Sequence, residues 1–145
     1  MGMDKKWIFK MPVEIRFGTG TVTDLTSAGK ALGKRPALVT DHGLAGLDFI
    51  VQIAGELCPA VFFTEVDPNP TVANVDALAA RLRSERVDCV VAVGGGSVMD
   101  CAKAACCLVK TDETSVRAFH TGGKQFGADR IPLIAVPTTA GTGSE

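Results

Sequence analysis

The stretch that most constrains this chain is Cys89 to Ala105, CVVAVGGGSVMDCAKAA. It opens as an apolar, β-branched run, Val90 to Val93, of the kind that forms a strand buried on both faces. It breaks at Gly94, Gly95 and Gly96, then resumes as a helical pattern with Ser97 placed to cap the helix N-terminus. Strand, glycine turn and helix start in that order make a cradle for an anion. Glycine lets the backbone bend sharply and approach a ligand, and the unpaired N–H groups at a helix start favour negative charge. A phosphate-bearing cofactor is the natural occupant.

The rest of the chain supplies support for such a site. Ala37 to Thr40, Ala60 to Thr64 and Ile131 to Val136 are short apolar runs that read as further buried strands. Helical patterns lie before and between them: Thr21 to Leu32, Leu47 to Leu57, and Thr71 to Arg86, where Val72, Val75, Leu78, Ala79 and Leu82 share one face. Val13 to Phe17, within the apolar-rich segment from Trp7 to Phe17, alternates as a half-exposed strand would. Thr111 to Arg130 carries little periodicity and reads as loop. Strands alternating with helices predict an α/β fold: a Rossmann-like parallel sheet with helices on both faces, preceded by an N-terminal strand segment.

At 145 residues, the chain has the length of one domain. Its 46% hydrophobic and 21% charged residues are ordinary for a folded protein, and its net charge of −1 provides no basic stripe for nucleic acid. No apolar run is long enough to span a bilayer, and MGMDKKWIFK lacks the apolar core of a secretory signal. The five cysteines form no C-x-x-C or zinc-type spacing, which predicts reduced core thiols in a cytoplasmic protein.

In parallel sheets, ligands bind beyond the carboxyl ends of the strands. Three polar or glycine-rich segments fall there: Asp41-His42-Gly43, Gly94 to Ser97, and Pro137 to Glu145. Asp41 can accept hydrogen bonds from ribose hydroxyls and repel a 2′-phosphate, or can serve as an ordinary turn residue. Asp100 is a dipole-favoured carboxylate in the first turn, a capping partner for Ser97, or a ligand contact. Lys103, one turn on, either shares that face or is a plain surface lysine. His42 and His120 read as exposed loop residues. The glycine turn matches neither G-x-G-x-x-G nor the P-loop pattern.

Together these segments resemble a family. GGGSVMDCAKA at Gly94 to Ala104 and PTTAGTGSE at Pro137 to Glu145 are similar to the two signature stretches of the iron-containing (group III) alcohol dehydrogenases. Val39-Thr40-Asp41, Pro68-Asn69-Pro70-Thr71 and Phe17-Gly18-Thr19-Gly20 match further stretches in the same order. Glycerol dehydrogenases of the same superfamily usually carry Lys where Ser97 stands, and maleylacetate reductases usually differ in the second stretch.

The resemblance implies a dinucleotide-binding domain over residues 1–145, taking NAD. By matched position, Gly94, Gly95, Gly96 and Ser97 hold the pyrophosphate, with Asp100 on the ribose or nicotinamide side. Thr138, Thr139 and Thr142 line the dinucleotide, Asn69 meets its adenosine part, and Asp41 favours NAD over NADP. Family members bind Fe2+ (or Zn2+) through an Asp and three His of a following all-helical domain, and no such domain is present in this sequence. The expectation is therefore the cofactor-binding half of a homo-oligomeric enzyme that interconverts a small alcohol and its aldehyde or ketone. The fragment alone is expected to be inactive, with exposed apolar surface favouring self-association. The alternatives are a maleylacetate reductase-like or other oxidoreductase of the superfamily, a non-catalytic nucleotide-binding module, or a structural fragment without a ligand.

Overall fold

Four short apolar strands form one all-parallel sheet in the order β2-β1-β3-β4. The computed structural model describes Ile8 and residues 12–120 and 122–144. The strands are β1 (Pro36–Val39), β2 (Val61–Phe63), β3 (Cys89–Gly94) and β4 (Leu133–Pro137). Before β1 comes α1 (Leu25–Leu32, after a 3-10 turn at Thr21–Asp24), and between the strands run α2 (Asp48–Leu57), α3 (Val72–Ser84), α4 (Gly96–Leu108) and the short α5 (Arg117–His120).

Side chains alternate across a strand, so the continuous apolar runs of β1 and β3 serve two cores at once. Ala37, Val39, Val90 and Ala92 pack with Val75, Leu78 and Leu82 of α3 and with Val98, Ala102 and Ala105 of α4. Leu38, Val91 and Val93 point the other way, against Leu25 of α1 and Ile50, Ile53 and Leu57 of α2. Every residue of β1 and β3 is buried, as the two central strands of such a sandwich must be.

Polar ties set the ends of these elements. The fully buried Thr40 hydroxyl donates to the Val93 carbonyl at 2.8 Å, joining the carboxyl ends of β1 and β3. The Asp88 carboxylate accepts the backbone N–H groups of Lys34 (2.9 Å) and Arg35 (2.8 Å), joining their opposite ends. Thr71 and Asn74 form a reciprocal capping box at the start of α3, and Asn74 Nδ2 donates to the Glu65 carbonyl at 3.0 Å. The loop after β2 is thereby pinned to the helix that follows it. On the far side, Arg83 donates from Nη2 to the carbonyls of Leu108, Thr111 (3.1 Å) and Glu113 (2.8 Å), closing the end of α4.

Three sequence expectations change. Val13 to Phe17 is not a strand: Val13 is 64%, Ile15 63% and Phe17 98% exposed, and among the described residues the sheet ends at β2 and β4. Alternation supplies a face, but a strand also needs a neighbour for its backbone, and among the described residues this segment has none. Trp7, Phe9 and Glu145 lie outside the described residues. Ser97 does not cap α4, because extended Gly95 (φ −77°, ψ −173°) holds the cap position and Ser97 sits inside the first turn. The 111–130 loop contains α5, where Phe119 stacks on Phe126 with ring centroids 4.0 Å apart.

Candidate functional site

The strand order places a topological switch point between β1 and β3. From β1 the chain moves outward to β2, then crosses back to β3 on the other side of β1. Connections leave the two central strands in opposite directions, which opens a crevice at their carboxyl ends. A cleft of about 560 Å3 lies there, lined by Asp41, His42 and Gly43 after β1 and by Val66, Asp67 and Pro68 after β2. Its remaining wall is Gly95 to Val98 at the start of α4, with Thr139 after β4.

The floor of the cleft is a helix N-terminus without a side-chain cap. The first N–H groups of such a helix, on Gly96, Ser97 and Val98, have no intrahelical acceptor and carry the positive end of the helix dipole. Each glycine of the turn has a distinct reason to lack a side chain. A Cβ on Gly94 would stand 2.5 Å from Val98 Cγ2, so this glycine lets strand and helix pack closely. A Cβ on Gly95 would stand 3.3 Å from Thr139 Oγ1, inside the cleft. On Gly96 it would stand 3.0 Å from Ser144 Oγ and 3.1 Å from Thr142 Cβ, so the loop after β4 closes directly over this residue.

Five of the residues singled out in the sequence meet in the cleft wall: Asp41, Gly95, Gly96, Ser97 and Thr139. Asp41 also accepts the Leu44 N–H on Oδ1 at 3.0 Å, which shapes the turn after β1. The other five are not among the lining residues. Gly94 is buried, and its carbonyl accepts the Thr138 N–H at 2.9 Å, extending the β3–β4 ladder by one bond. Asn69, left-handed at φ 57°, donates its N–H to Ser97 Oγ at 3.1 Å. Asp100 Oδ2 accepts the Ser144 hydroxyl at 3.1 Å. Thr142 packs beside Gly96.

The segment Asp41-His42-Gly43, expected at this edge, lines the cleft as a whole, although His42 alone reads as an ordinary exposed loop residue; Val66, Asp67, Pro68 and Val98 line it although the sequence does not single them out as site residues. Val66, Asp67 and Pro68 follow β2, so their position beyond a strand's carboxyl end is the signal that marks them.

Among the described residues no group of three or more His, Cys, Asp or Glu side chains converges as a metal site. The five cysteines are free, with Cys89, Cys101 and Cys106 buried in the sandwich. Burial pushes their thiols up, to about 11 for Cys89 and about 12 for Cys101 and Cys106. Among the described residues no helix is long and apolar enough to cross a membrane.

Comparison with known proteins agrees with this geometry. A family profile for iron-containing alcohol dehydrogenase matches residues 12–145. The chain is 40% identical over 150 residues to a choline dehydrogenase of Bacillus subtilis (strain 168), a match covering 99% of this chain and 37% of that protein. It is 42% identical over 137 residues to a 4-hydroxybutyrate dehydrogenase of Cupriavidus necator, covering 90% of this chain and 36% of the relative. A solved structure of sulfoacetaldehyde reductase from Bifidobacterium kashiwanohense in complex with NAD+ superposes with a TM-score of 0.87 at 38% identity. That superposition covers 97% of this chain and 38% of the other. The chain thus spans between 36% and 38% of the length of these relatives. With its parallel sheet, glycine turn and helix-start cleft, the chain belongs to the iron-containing alcohol dehydrogenase family.

Proposed function

We propose that residues 1–145 form the dinucleotide-binding domain of an NAD-dependent alcohol dehydrogenase, whose whole reaction interconverts a small alcohol and its aldehyde or ketone. One observation carries the reading: the uncapped N-terminus of α4 lines a cleft at the β1/β3 switch point together with the strand-end Asp41. The NAD+ in the sulfoacetaldehyde reductase structure, whose fold this chain shares at 38% identity, supports the same occupant.

The residues present fit that group. The N–H groups of Gly96, Ser97 and Val98 would meet the pyrophosphate, in space that a side chain on Gly95 would fill. Thr139 contributes a hydroxyl on the same wall. Asp41 is placed to accept ribose hydroxyls, and its charge opposes a 2′-phosphate. Exposed Thr138 and Thr142 would extend the contacts along the dinucleotide, Asn69 towards its adenosine part and Asp100 on the ribose or nicotinamide side, while Gly94 permits the close packing of β3 on α4. When bound, NAD supplies the hydride acceptor or donor; this chain binds and orients it. The described residues contain no group of side chains that could ligate the iron of the family's name.

The exposed apolar side chains Ile15, Phe17, Val51 and Phe62 support self-association as a homo-oligomer. The five free thiols agree with a reducing, cytoplasmic setting.

Thermal melts with NAD and NADP test the reading. NAD at a hundredfold excess over its Kd should stabilise the fold by about 2.7 kcal/mol, and NADP by less. Asp41→Asn keeps an acceptor for Leu44 while removing the charge, and it should narrow the NAD/NADP difference. An unchanged melting temperature with millimolar NAD would overturn the reading, and an unchanged preference in Asp41→Asn would overturn the role of Asp41.

A further inference from the structure

One side of α4 grips the end of the Thr-rich loop at two points. Asp100 and Lys103 are three residues apart in sequence and lie on one helix face. Asp100 Oδ2 accepts the Ser144 hydroxyl at 3.1 Å, and Lys103 Nζ donates to the Ser144 carbonyl. A single residue is held by its side chain and its backbone, with a charged partner for each. Such bonds are stronger than neutral ones, and Lys103 is half-buried, which limits competition from water.

The opposite end of the loop is tied independently. The Thr138 N–H donates to the Gly94 carbonyl, so the loop leaves β4 in fixed register with β3. Between these anchors the chain turns through Gly141 (φ 76°) and Gly143 (φ 79°), left-handed conformations that favour glycine. A loop pivoting at two glycines needs both ends held to present one side chain in one place. The side chain it presents to the cleft is Thr139, beside Gly95.

We propose that Lys103, with Asp100, is a positioning residue: it clamps Ser144 onto α4 and thereby holds Thr139 in the wall of the cleft. In this arrangement Asp100 acts through Ser144 on one of its carboxylate oxygens. The inference rests on the reading of the cleft as a nucleotide site only for its effect on binding; the clamp itself is a property of the ligand-free protein.

The test compares wild type, Lys103→Met, Lys103→Arg and the control Lys110→Met, an exposed lysine in the turn just past the far end of α4. Two quantities are read: backbone hydrogen exchange over residues 138–144 without ligand, and calorimetric affinity for NAD. Lys103→Met should raise exchange in that segment about tenfold, with β3 protection unchanged, and weaken NAD binding about tenfold because the ligand must then order the loop. Lys103→Arg should restore most of both, and Lys110→Met should alter neither. Should Lys103→Met lose β3 protection as well, Ser144→Ala, which removes only the Asp100 arm, provides the comparison and should raise exchange by a smaller factor.

Unchanged exchange over 138–144 in both Lys103→Met and Ser144→Ala would overturn the clamp, whatever NAD does. Raised exchange with unaltered NAD affinity would overturn the positioning role. Raised exchange in a protein whose wild type binds no NAD would leave the clamp standing and remove the nucleotide reading instead.

Discussion

Ser97 Oγ accepts the backbone N–H of Asn69 at 3.1 Å, tying the loop after β2 to the first turn of the helix after β3. The two residues are 28 apart in sequence, and their bond closes one flank of the cleft. It also accounts for a serine inside the helix rather than at its cap, since the hydroxyl is committed to another loop.

Ser97→Ala should therefore cost about 1 kcal/mol, the ordinary worth of one such hydrogen bond. Ser97→Thr, which keeps the hydroxyl, should retain most of it. Urea denaturation of the three proteins measures this, and equal midpoints for Ala and wild type would show that the tie contributes nothing.

Gly94 makes a steric prediction. Its missing Cβ would stand 2.5 Å and 2.7 Å from atoms of Val98, a side chain only 1% exposed. Gly94→Ala should lose roughly 1–3 kcal/mol through overpacking. The double variant Gly94→Ala/Val98→Ala should recover part of that loss, because the obstructing atoms are gone. Additive destabilisation in the double variant would contradict the packing account.

These positions show what the sequence reveals and what it conceals. The strand, glycine turn and helix of 89–108 are local, written in adjacent residues, and were legible, as was Asp41 at a strand end. The partners of Ser97 and Asp100 were not, since Asn69 and Ser144 reach them only after distant loops fold together. The expected strand at Val13 to Phe17 fails for the same reason. Alternation is a local property, whereas pairing needs a neighbour that no local pattern can supply.

Asp88 predicts a pH dependence. Burial acts to raise its carboxyl, but the N–H donors of Lys34 and Arg35, with smaller contributions from Cys89 and its own backbone, outweigh burial and leave it lowered. A folded-state value below the unfolded value of about 3.9 means that the stabilisation is present above pH 4 and lost as pH falls through the folded value. Asp88→Asn should melt below wild type near neutrality, and the gap should shrink on acidification. A gap constant down to pH 2 would contradict this.

Thiol accessibility follows from the sandwich. Cys58 is exposed at the end of α2, Cys107 is half-buried, and Cys89, Cys101 and Cys106 are buried with thiols raised to about 11, 12 and 12. Under native, mildly alkaline conditions an alkylating reagent should modify Cys58 rapidly, Cys107 slowly, and the buried three only on unfolding. Rapid labelling of Cys101 or Cys106 would place the α4 face outside the core.

The most direct test of the central claim is a residue-resolved amide spectrum of isotopically labelled protein titrated with NAD. The account predicts shifts concentrated at Gly95, Gly96, Ser97 and Val98, with matching changes at Asp41 to Gly43 and Thr139, and little beyond the cleft. Saturable shifts centred elsewhere, or none with millimolar NAD, would contradict it.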